Sequence, residues 1–104
     1  ILSNIPQKIL WGDKVREEMK KSLTNKMTEN LVVLRAKMDM TQAELADLIG
    51  TSRQTILSLE KKQRPMTWTT FLALLFVFRT NENTCDLLEM LGIYTDQLKD
   101  YLSK

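Results

Sequence analysis

The apolar positions between residues 41 and 50 predict a short helix followed by a sharp turn. Thr41 stands three residues before Glu44, and this is the spacing of a capping box that begins a helix. Gly50 ends the apolar run, because glycine adopts the positive φ of a helix stop without steric cost. Four apolar residues at helical spacing are expected on one face of this helix: Leu45, Ala46, Leu48 and Ile49.

A second helix is predicted over residues 52–60, directly after the turn. The hydroxyl of Ser52 can accept a hydrogen bond from the amide of Gln54 or Thr55 and so begin this helix. Ile56 and Leu59 are expected to point inward. Two short helices with a three-residue turn form a helix-turn-helix, and the alternative is a helical hairpin without a nucleic-acid role. Four side chains of the second helix are expected to lie largely outside: Arg53, Gln54, Leu57 and Ser58.

The segment before the motif predicts an N-terminal helix with one narrow apolar stripe. Asp13 is expected to cap this helix, and Val15, Met19 and Leu23 recur along it every four residues. Because the rest of the helix is charged, the stripe has to dock on another surface. It either covers the core of its own domain or packs on a second protomer. Residues 1–12 are predicted to form a short helical turn or an arm.

The other segments also have helical patterns, which makes the predicted fold class all-α. Thr28 is expected to cap a helix that ends near Met40, and Thr67 a later helix that is apolar nearly all round and therefore buried on both sides. Two short helices follow, with Thr84 or Asn83 and then Thr95 as their expected caps, and Gly92 as a stop. Expected inward residues are Leu31, Leu34, Met38 and one of Val32 and Val33, then Trp68, Phe71, Leu72, Leu74, Leu75, Phe76, Val77 and Phe78, and finally Leu87, Leu88, Leu91, Ile93, Tyr94, Leu98, Tyr101 and Leu102.

Charge is distributed unevenly along the chain, although the net charge is only +2. Residues 1–64 carry 12 Lys and Arg against 8 Asp and Glu, whereas residues 65–104 carry 3 against 5. The positive potential is therefore expected around the motif and the segment before it.

Several kinds of chemistry are disfavoured by the composition. The chain has no histidine, one cysteine and three glycines, so it lacks the residues for a cysteine metal cluster, a disulfide or a glycine-rich phosphate loop. We expect no enzymatic activity, no metal site and no cofactor. Cys85 is expected to be a small, partly buried residue, with a redox role as the alternative.

No membrane or targeting segment is expected from the pattern. The longest apolar run, residues 71–78, is far shorter than the roughly 20 residues that span a bilayer. Residues 1–6 lack the charged region and apolar core of a signal peptide. A cytoplasmic location is the expectation.

The stretch TQAELADLIGTSRQTILSLE resembles the helix-turn-helix of the phage repressor and Cro family of transcription regulators, the XRE type. The resemblance covers about half of the chain, residues 29 to about 79. In that family an arginine of the first helix pairs with a glutamate at the end of the recognition helix, and Arg35 and Glu60 hold the matching positions. At 104 residues the chain is expected to form a single all-α domain. This domain is predicted to have a repressor-like core at residues 28–80, preceded by an N-terminal arm and helix (1–27) and followed by a C-terminal extension (81–104). The extra N-terminal helix departs from the minimal family pattern.

The residue types at the start of the second helix suit base reading. Arginine matches the two acceptors of guanine, and glutamine matches the donor and acceptor of adenine. The resemblance implies base contacts at Ser52, Arg53, Gln54 and Ser58, and a phosphate contact at Gln42. Just beyond the helix, Lys61, Lys62 and Arg64 either complement the negative end of the helix dipole or contact phosphates.

The resemblance implies a bacterial or phage regulator that binds double-stranded DNA as a homodimer at the nucleoid. By analogy, the dimer contact is expected on the C-terminal segment or on the N-terminal helix. The alternative is an antitoxin, or another protein-interaction module, that carries a DNA-binding helix-turn-helix and uses a flank to bind a toxin-like partner.

Overall fold

A computed structural model describes residues 4–103, with side chains from Gly12 onward, and this part of the chain is all helical. α2 packs against α3, while α4 packs against α1, α2 and α5. The predicted all-α class is confirmed. The prediction of an arm or turn falls partly on residues 1–3, which lie outside the described part. The helices are α1 (Asn4–Lys37), α2 (Gln42–Ile49), α3 (Arg53–Glu60), α4 (Trp68–Thr80), α5 (Cys85–Met90) and α6 (Asp96–Leu102).

One continuous helix, α1, replaces the two helices that were predicted before the motif. Asp13 and Thr28 were both expected as caps, and both lie inside α1. Asp13 pairs with Arg16 one turn later, and the Thr28 hydroxyl donates to the Thr24 carbonyl at 2.8 Å. A side-chain hydroxyl can donate to a carbonyl within a helix, and a carboxylate can accept from a cation one turn later, so neither residue requires an interruption. The division at 27/28 therefore falls within a single helix.

The apolar stripe of α1 explains this continuity. Six buried residues follow one another at spacings of three or four, so one face stays in the core past the predicted break. The stripe is buried against the chain's own later helices, which is the first of the two docking alternatives. These residues are Met19, Leu23, Met27, Leu31, Leu34 and Met38.

The N-terminal half of α1 is fastened to the later helices by polar groups as well. The Lys20 ammonium lies 5.4 Å from the ring centre of Trp68 and 5.5 Å from that of Tyr101. The Trp68 and Tyr101 rings meet edge to face at 6.3 Å. Farther along α1, Lys26 reaches the carbonyl of Gly92 at 3.5 Å. Cation–π contacts of this kind add to the burial of the stripe and fix α1 along its length.

Four of the helices end in the same hydrogen-bonded turn. In each, a residue with positive φ donates its amide to the carbonyl three positions back, and the next residue donates to the carbonyl five positions back, which is the Schellman arrangement. The residues with positive φ are Asp39 (55°), Gly50 (77°), Lys62 (59°) and Gly92 (72°). After α3, for example, the Lys62 amide donates to Leu59 and the Gln63 amide to Ser58. The stops predicted at Gly50 and Gly92 are confirmed, and the other two turns use residues with a side chain.

Several predicted inward residues are exposed, and α4 is buried on one side only. Phe76 is 71% exposed because it points away from the side of α4 that holds Phe71, Leu74 and Phe78. Apolar content alone does not say which face of a helix meets a neighbour. The other exposed residues among those expected inside are Val15, Val32, Val33, Leu48 and Leu102.

Thr84 begins α5 without a side-chain cap bond, and its buried hydroxyl donates to the Phe78 carbonyl instead.

Candidate nucleic-acid interface

The two helices of the motif begin and end at the residues that local chemistry dictates. Thr41 accepts a hydrogen bond from the Glu44 amide at 3.1 Å, and the Glu44 carboxylate accepts one from the Thr41 amide at 3.0 Å. This capping box starts α2, as predicted. Ser52 accepts from the Thr55 amide at 3.1 Å and starts α3. Between them, Gly50 turns the chain in the left-handed conformation.

The inner side of α3 is held in the core, and its first turn faces outward. Ile56 and Leu59 are buried, as predicted, and they fix the rotation of the helix. Arg53 and Gln54 are exposed at the beginning of the helix. Both side chains therefore lie on the surface of an element that the core prevents from rotating.

Ser58 is buried, with 7% of its surface exposed, so the prediction of an outward Ser58 is wrong. Leu57 is half-buried rather than exposed. The chain turns back after α3, where the Gln63 amide donates to the Ser58 carbonyl at 2.8 Å. Periodicity within a single helix does not reveal which of its polar side chains other segments will cover. This burial removes Ser58 from the surface available for a base contact.

Three helices meet at the carboxylate of Glu60. Arg35 donates to it through Nε at 2.6 Å and through Nη2 at 3.2 Å, and Nη1 of the same arginine donates to the Met40 carbonyl at 2.9 Å. The Gln42 amide donates to Oε1 of Glu60 at 2.8 Å. The carboxylate thus links the end of α1, the start of α2 and the end of α3. The resemblance implied the Arg35 pairing, but no signal in the pattern pointed to Gln42 as a third member.

Gln42, expected to contact a phosphate, is half-buried and uses its side-chain amide inside the protein. A phosphate at this position would instead meet the first backbone amides of α2, since the amides at the start of a helix attract an anion.

A basic loop follows α3. Lys61, Lys62 and Arg64 are exposed, and none of them forms an ion pair with a carboxylate of the described residues. The loop therefore presents three uncompensated positive charges next to the end of α3. By contrast, Arg79 and Lys99 farther along the chain lie over the ring of Tyr94, and Lys99 also pairs with Glu89.

Comparison with protein families assigns this arrangement. Residues 33–74 match a family model whose description is Helix-turn-helix. These residues belong to the phage repressor and Cro type of helix-turn-helix. The matched range runs from the C-terminal part of α1 through α2 and α3 into α4. The family consists of DNA-binding transcription regulators, so the repressor-type motif of this chain is a DNA-binding module. No curated protein and no solved structure matches the chain significantly.

Membrane-spanning helices and groups of metal ligands were sought in the part of the chain that the structure describes. Within residues 4–103, no helix has the length and mean hydropathy needed to cross a bilayer. Among the described side chains, no group of three or more His, Cys, Asp or Glu residues is arranged to hold a metal ion. Cys85 is half-buried, and its Sγ lies 3.7 Å from the Glu82 carbonyl.

Proposed function

We propose that this protein is a transcription regulator that binds specific double-stranded DNA sequences as a dimer, with α3 in the major groove. The observation that carries the proposal is the placement of Arg53 and Gln54. Both are exposed on the first turn of α3, while Ile56 and Leu59 hold the opposite side in the core. Helix-turn-helix proteins read bases with the N-terminal residues of the second helix.

The two side chains suit different bases. Arg53 is assigned to guanine, because a guanidinium donates two parallel hydrogen bonds to O6 and N7. Gln54 is assigned to adenine, whose N6 and N7 match a side-chain amide. Ser52 lies beside them, and its hydroxyl already caps α3 and contacts the Thr55 hydroxyl at 3.0 Å. Arg53 and Gln54 therefore carry most of the proposed sequence preference.

Phosphate contacts are assigned to two places that flank α3. One is the start of α2 at Gln42, where backbone amides supply the donors. The other is the loop with Lys61, Lys62 and Arg64. Such contacts fix the orientation of the motif on the duplex without reading its sequence.

A dimer is proposed because a single motif reaches few bases. Two copies related by a two-fold axis would read half-sites roughly 34 Å apart, one turn of DNA. The stripe on α1 is filled by the chain's own helices, so the dimer contact is assigned to the surface of α4 and α5. Phe76 and Met90 are 71% and 80% exposed there, and their burial in a dimer would remove apolar surface from water.

The base-reading assignment is tested on a DNA site selected from random sequences. Arg53→Ala is expected to weaken binding to that site by about 1–3 kcal/mol and to relax the preference at one position. Arg16→Ala serves as the matched control, because it removes an arginine charge from α1, far along the chain from the motif. Binding of Arg53→Ala equal to that of the wild type, measured by gel shift, would show that the base-reading assignment of Arg53 is wrong.

The dimer is tested by sedimentation at micromolar concentration. The wild type is expected to sediment as a dimer and Phe76→Glu as a monomer, since a charge in an apolar interface costs more than the contact gains. Asp96→Ala, an exposed substitution on α6, is the control. A wild type that stays monomeric both free and on its selected DNA would contradict the dimeric reading.

The antitoxin alternative is favoured by one observation. Val32 and Val33 are adjacent and about half exposed on α1, which suits contact with another protein. Purification of the protein from its native cell extract separates the two readings. A stoichiometric partner favours the antitoxin, and self-association alone favours the simple regulator.

A further inference from the structure

A cleft of about 470 Å³ lies between α1 and the loop that follows α3. One wall belongs to the middle of α1, with Lys21, Asn25 and Glu29. The other wall is the loop with Lys62 and Arg64. The buried side chain of Met66 also lines the cleft. The cleft thus lies between the basic loop and a part of α1 that is outside the matched residues 33–74.

The charges of the cleft favour an anion. Three cations, Lys21, Lys62 and Arg64, line it together with one carboxylate, Glu29, which leaves a net charge of +2. None of these four side chains forms an ion pair within the described part of the chain. The positive charges are therefore available to a ligand, whereas the neighbouring Lys20 and Lys26 already contact aromatic rings and the Gly92 carbonyl, respectively.

The position of Lys21 is fixed before any ligand arrives. Lys20, the residue before it, lies against the rings of Trp68 and Tyr101. Leu23, two residues after it, is buried in the core. The loop is fixed as well, because the amides of Lys62 and Gln63 close the turn after α3. Both walls are therefore rigid at the level of the backbone, and only long side chains have to adjust. Preorganisation of this kind lowers the entropic cost of binding.

The cleft also lies where a DNA backbone would pass, if α3 reads the major groove. An eight-residue helix is about 12 Å long, and the major groove is about 12 Å wide. A helix that reads bases with its first turn therefore ends beside the phosphates at the edge of the groove. Lys62 is two residues beyond that end.

We propose that this cleft binds a phosphate group, supplied in the complex by the backbone of the bound duplex. Lys21 closes on the phosphate from α1, and Lys62 and Arg64 close on it from the loop. The N-terminal part of α1 thereby extends the grip of the motif on DNA by one contact. This inference rests on the proposed function, since it takes the orientation of α3 from it.

The first test measures affinity for the selected duplex as a function of salt concentration. Lys21→Gln keeps the length of the side chain and removes its charge. Loss of one phosphate contact is expected to reduce the slope of log K against log salt by about 0.9. Lys14→Gln is the matched control: it removes the same charge from an exposed position on the same helix, two turns before Lys21 and outside the cleft. Its slope is expected to equal that of the wild type.

Glu29→Gln supplies a test of opposite sign. Removing the one carboxylate from the cleft is expected to tighten binding of the same duplex by up to about fivefold. A structural disturbance of α1 would weaken binding in both variants. Opposite changes in Lys21→Gln and Glu29→Gln therefore identify an electrostatic contact.

A second arm identifies the source of the phosphate. Pyrophosphate is titrated into the DNA-free protein at constant ionic strength, and the backbone amide shifts of residues 21–29, 62–64 and 66 are followed by NMR. Saturable binding that is lost in Lys21→Gln supports a cleft that also accepts a free phosphate compound. A changed salt slope without pyrophosphate binding supports the duplex as the only source.

The proposal is overturned if Lys21→Gln has the wild-type salt slope and pyrophosphate does not bind. That outcome leaves the proposed function intact as long as Arg53→Ala still loses sequence preference. If Arg53→Ala has no effect, the orientation of α3 fails first, and only the pyrophosphate arm still bears on the cleft.

Discussion

Arg35 and Glu60, 25 residues apart in the sequence, form a two-point hydrogen-bonded ion pair with distances of 2.6 Å and 3.2 Å. The Glu60 side chain is only 6% exposed. Its remaining hydrogen bond comes from Gln42. The pair therefore fixes the end of α3 relative to α1 and α2, which sets the orientation in which Arg53 and Gln54 are presented.

Arg35→Met is expected to destabilise the fold by about 3 kcal/mol, because it leaves a buried carboxylate without its cation. The double variant Arg35→Met/Glu60→Leu is expected to lose less than the two single variants together. Urea unfolding of the four proteins gives the coupling free energy. Arg35→Lys, which keeps the charge and loses the two-point geometry, is the control. Strictly additive losses would mean that the pair contributes no coupling.

Lys62→Gly is expected to stabilise the protein by about 0.5–1 kcal/mol. Lys62 has a φ of 59°. A residue with a side chain is strained in this left-handed conformation, whereas glycine adopts it without strain. Asp39→Gly should gain less, because aspartate tolerates this conformation better than lysine does. Lys61→Gly is the matched control: it removes the same charge at a φ of −84° and should lose stability. Thermal melting without DNA checks all three, and equal effects at positions 61 and 62 would count against the strain.

Proline at position 29 distinguishes one helix from two. If Thr28 began a new helix, residue 29 would be its first residue, where proline is tolerated. In the continuous α1, Glu29→Pro removes a hydrogen bond and clashes with the preceding turn, at a cost of about 3 kcal/mol or more. Glu29→Ala should stay within about 0.5 kcal/mol of the wild type. The melting temperatures and far-ultraviolet circular dichroism of the two variants decide the matter.

The capping box of α2 is expected to contribute to acid sensitivity. The Thr41 amide and then its hydroxyl, both hydrogen-bonded within the box, lower the pKa of Glu44. Because the folded pKa lies below the unfolded one, the ionised Glu44 stabilises the fold at neutral pH. This contribution is lost as the pH falls through the unfolded value of about 4.3 and then through the lower folded value.

Glu44→Gln keeps a residue that can close the box but cannot titrate. Its stability at pH 7 is therefore expected to lie slightly below that of the wild type, because the charge is missing, and its loss between about pH 5 and pH 3 to be smaller. Some acid sensitivity should remain, because the hydrogen bond from Lys99, and next its charge, lower the pKa of Glu89 as well. The pH dependence of stability is measured by urea unfolding. A profile in Glu44→Gln equal to that of the wild type would mean that Glu44 does not contribute to the acid sensitivity.

Local signals predicted the motif well, because each depends on a few neighbouring residues. Thr41, Ser52, Thr67 and Thr95 all cap helices through their side chains. Gly50 has the positive φ that its place after the apolar run required. The same local reasoning failed at Thr28, where the hydroxyl bonds to a carbonyl of its own helix. A capping residue thus marks a start only where the chain on its N-terminal side leaves the helix.

Burial was predicted less well, because it depends on what covers each face. Phe76 and Leu48 are large apolar residues of the kind found in cores, but both are exposed because no element packs over them in the described chain. Ser58 is a small polar residue of a type that is common at surfaces, and it is buried. The cleft lined by Lys21 and Arg64 could not be predicted, because its walls are more than 30 residues apart in the sequence.

By itself, the sequence determined where the motif helices begin and stop, which way the chain turns between them, and that an arginine and a glutamine open α3. These features follow from backbone hydrogen bonds and steric limits among residues close in the chain. Only the tertiary structure decided that α1 is one helix, that Gln42 joins Arg35 at Glu60, and that α1 and the basic loop enclose a cleft. Those features arise from contacts between distant segments, whose geometry is fixed when the shared core packs.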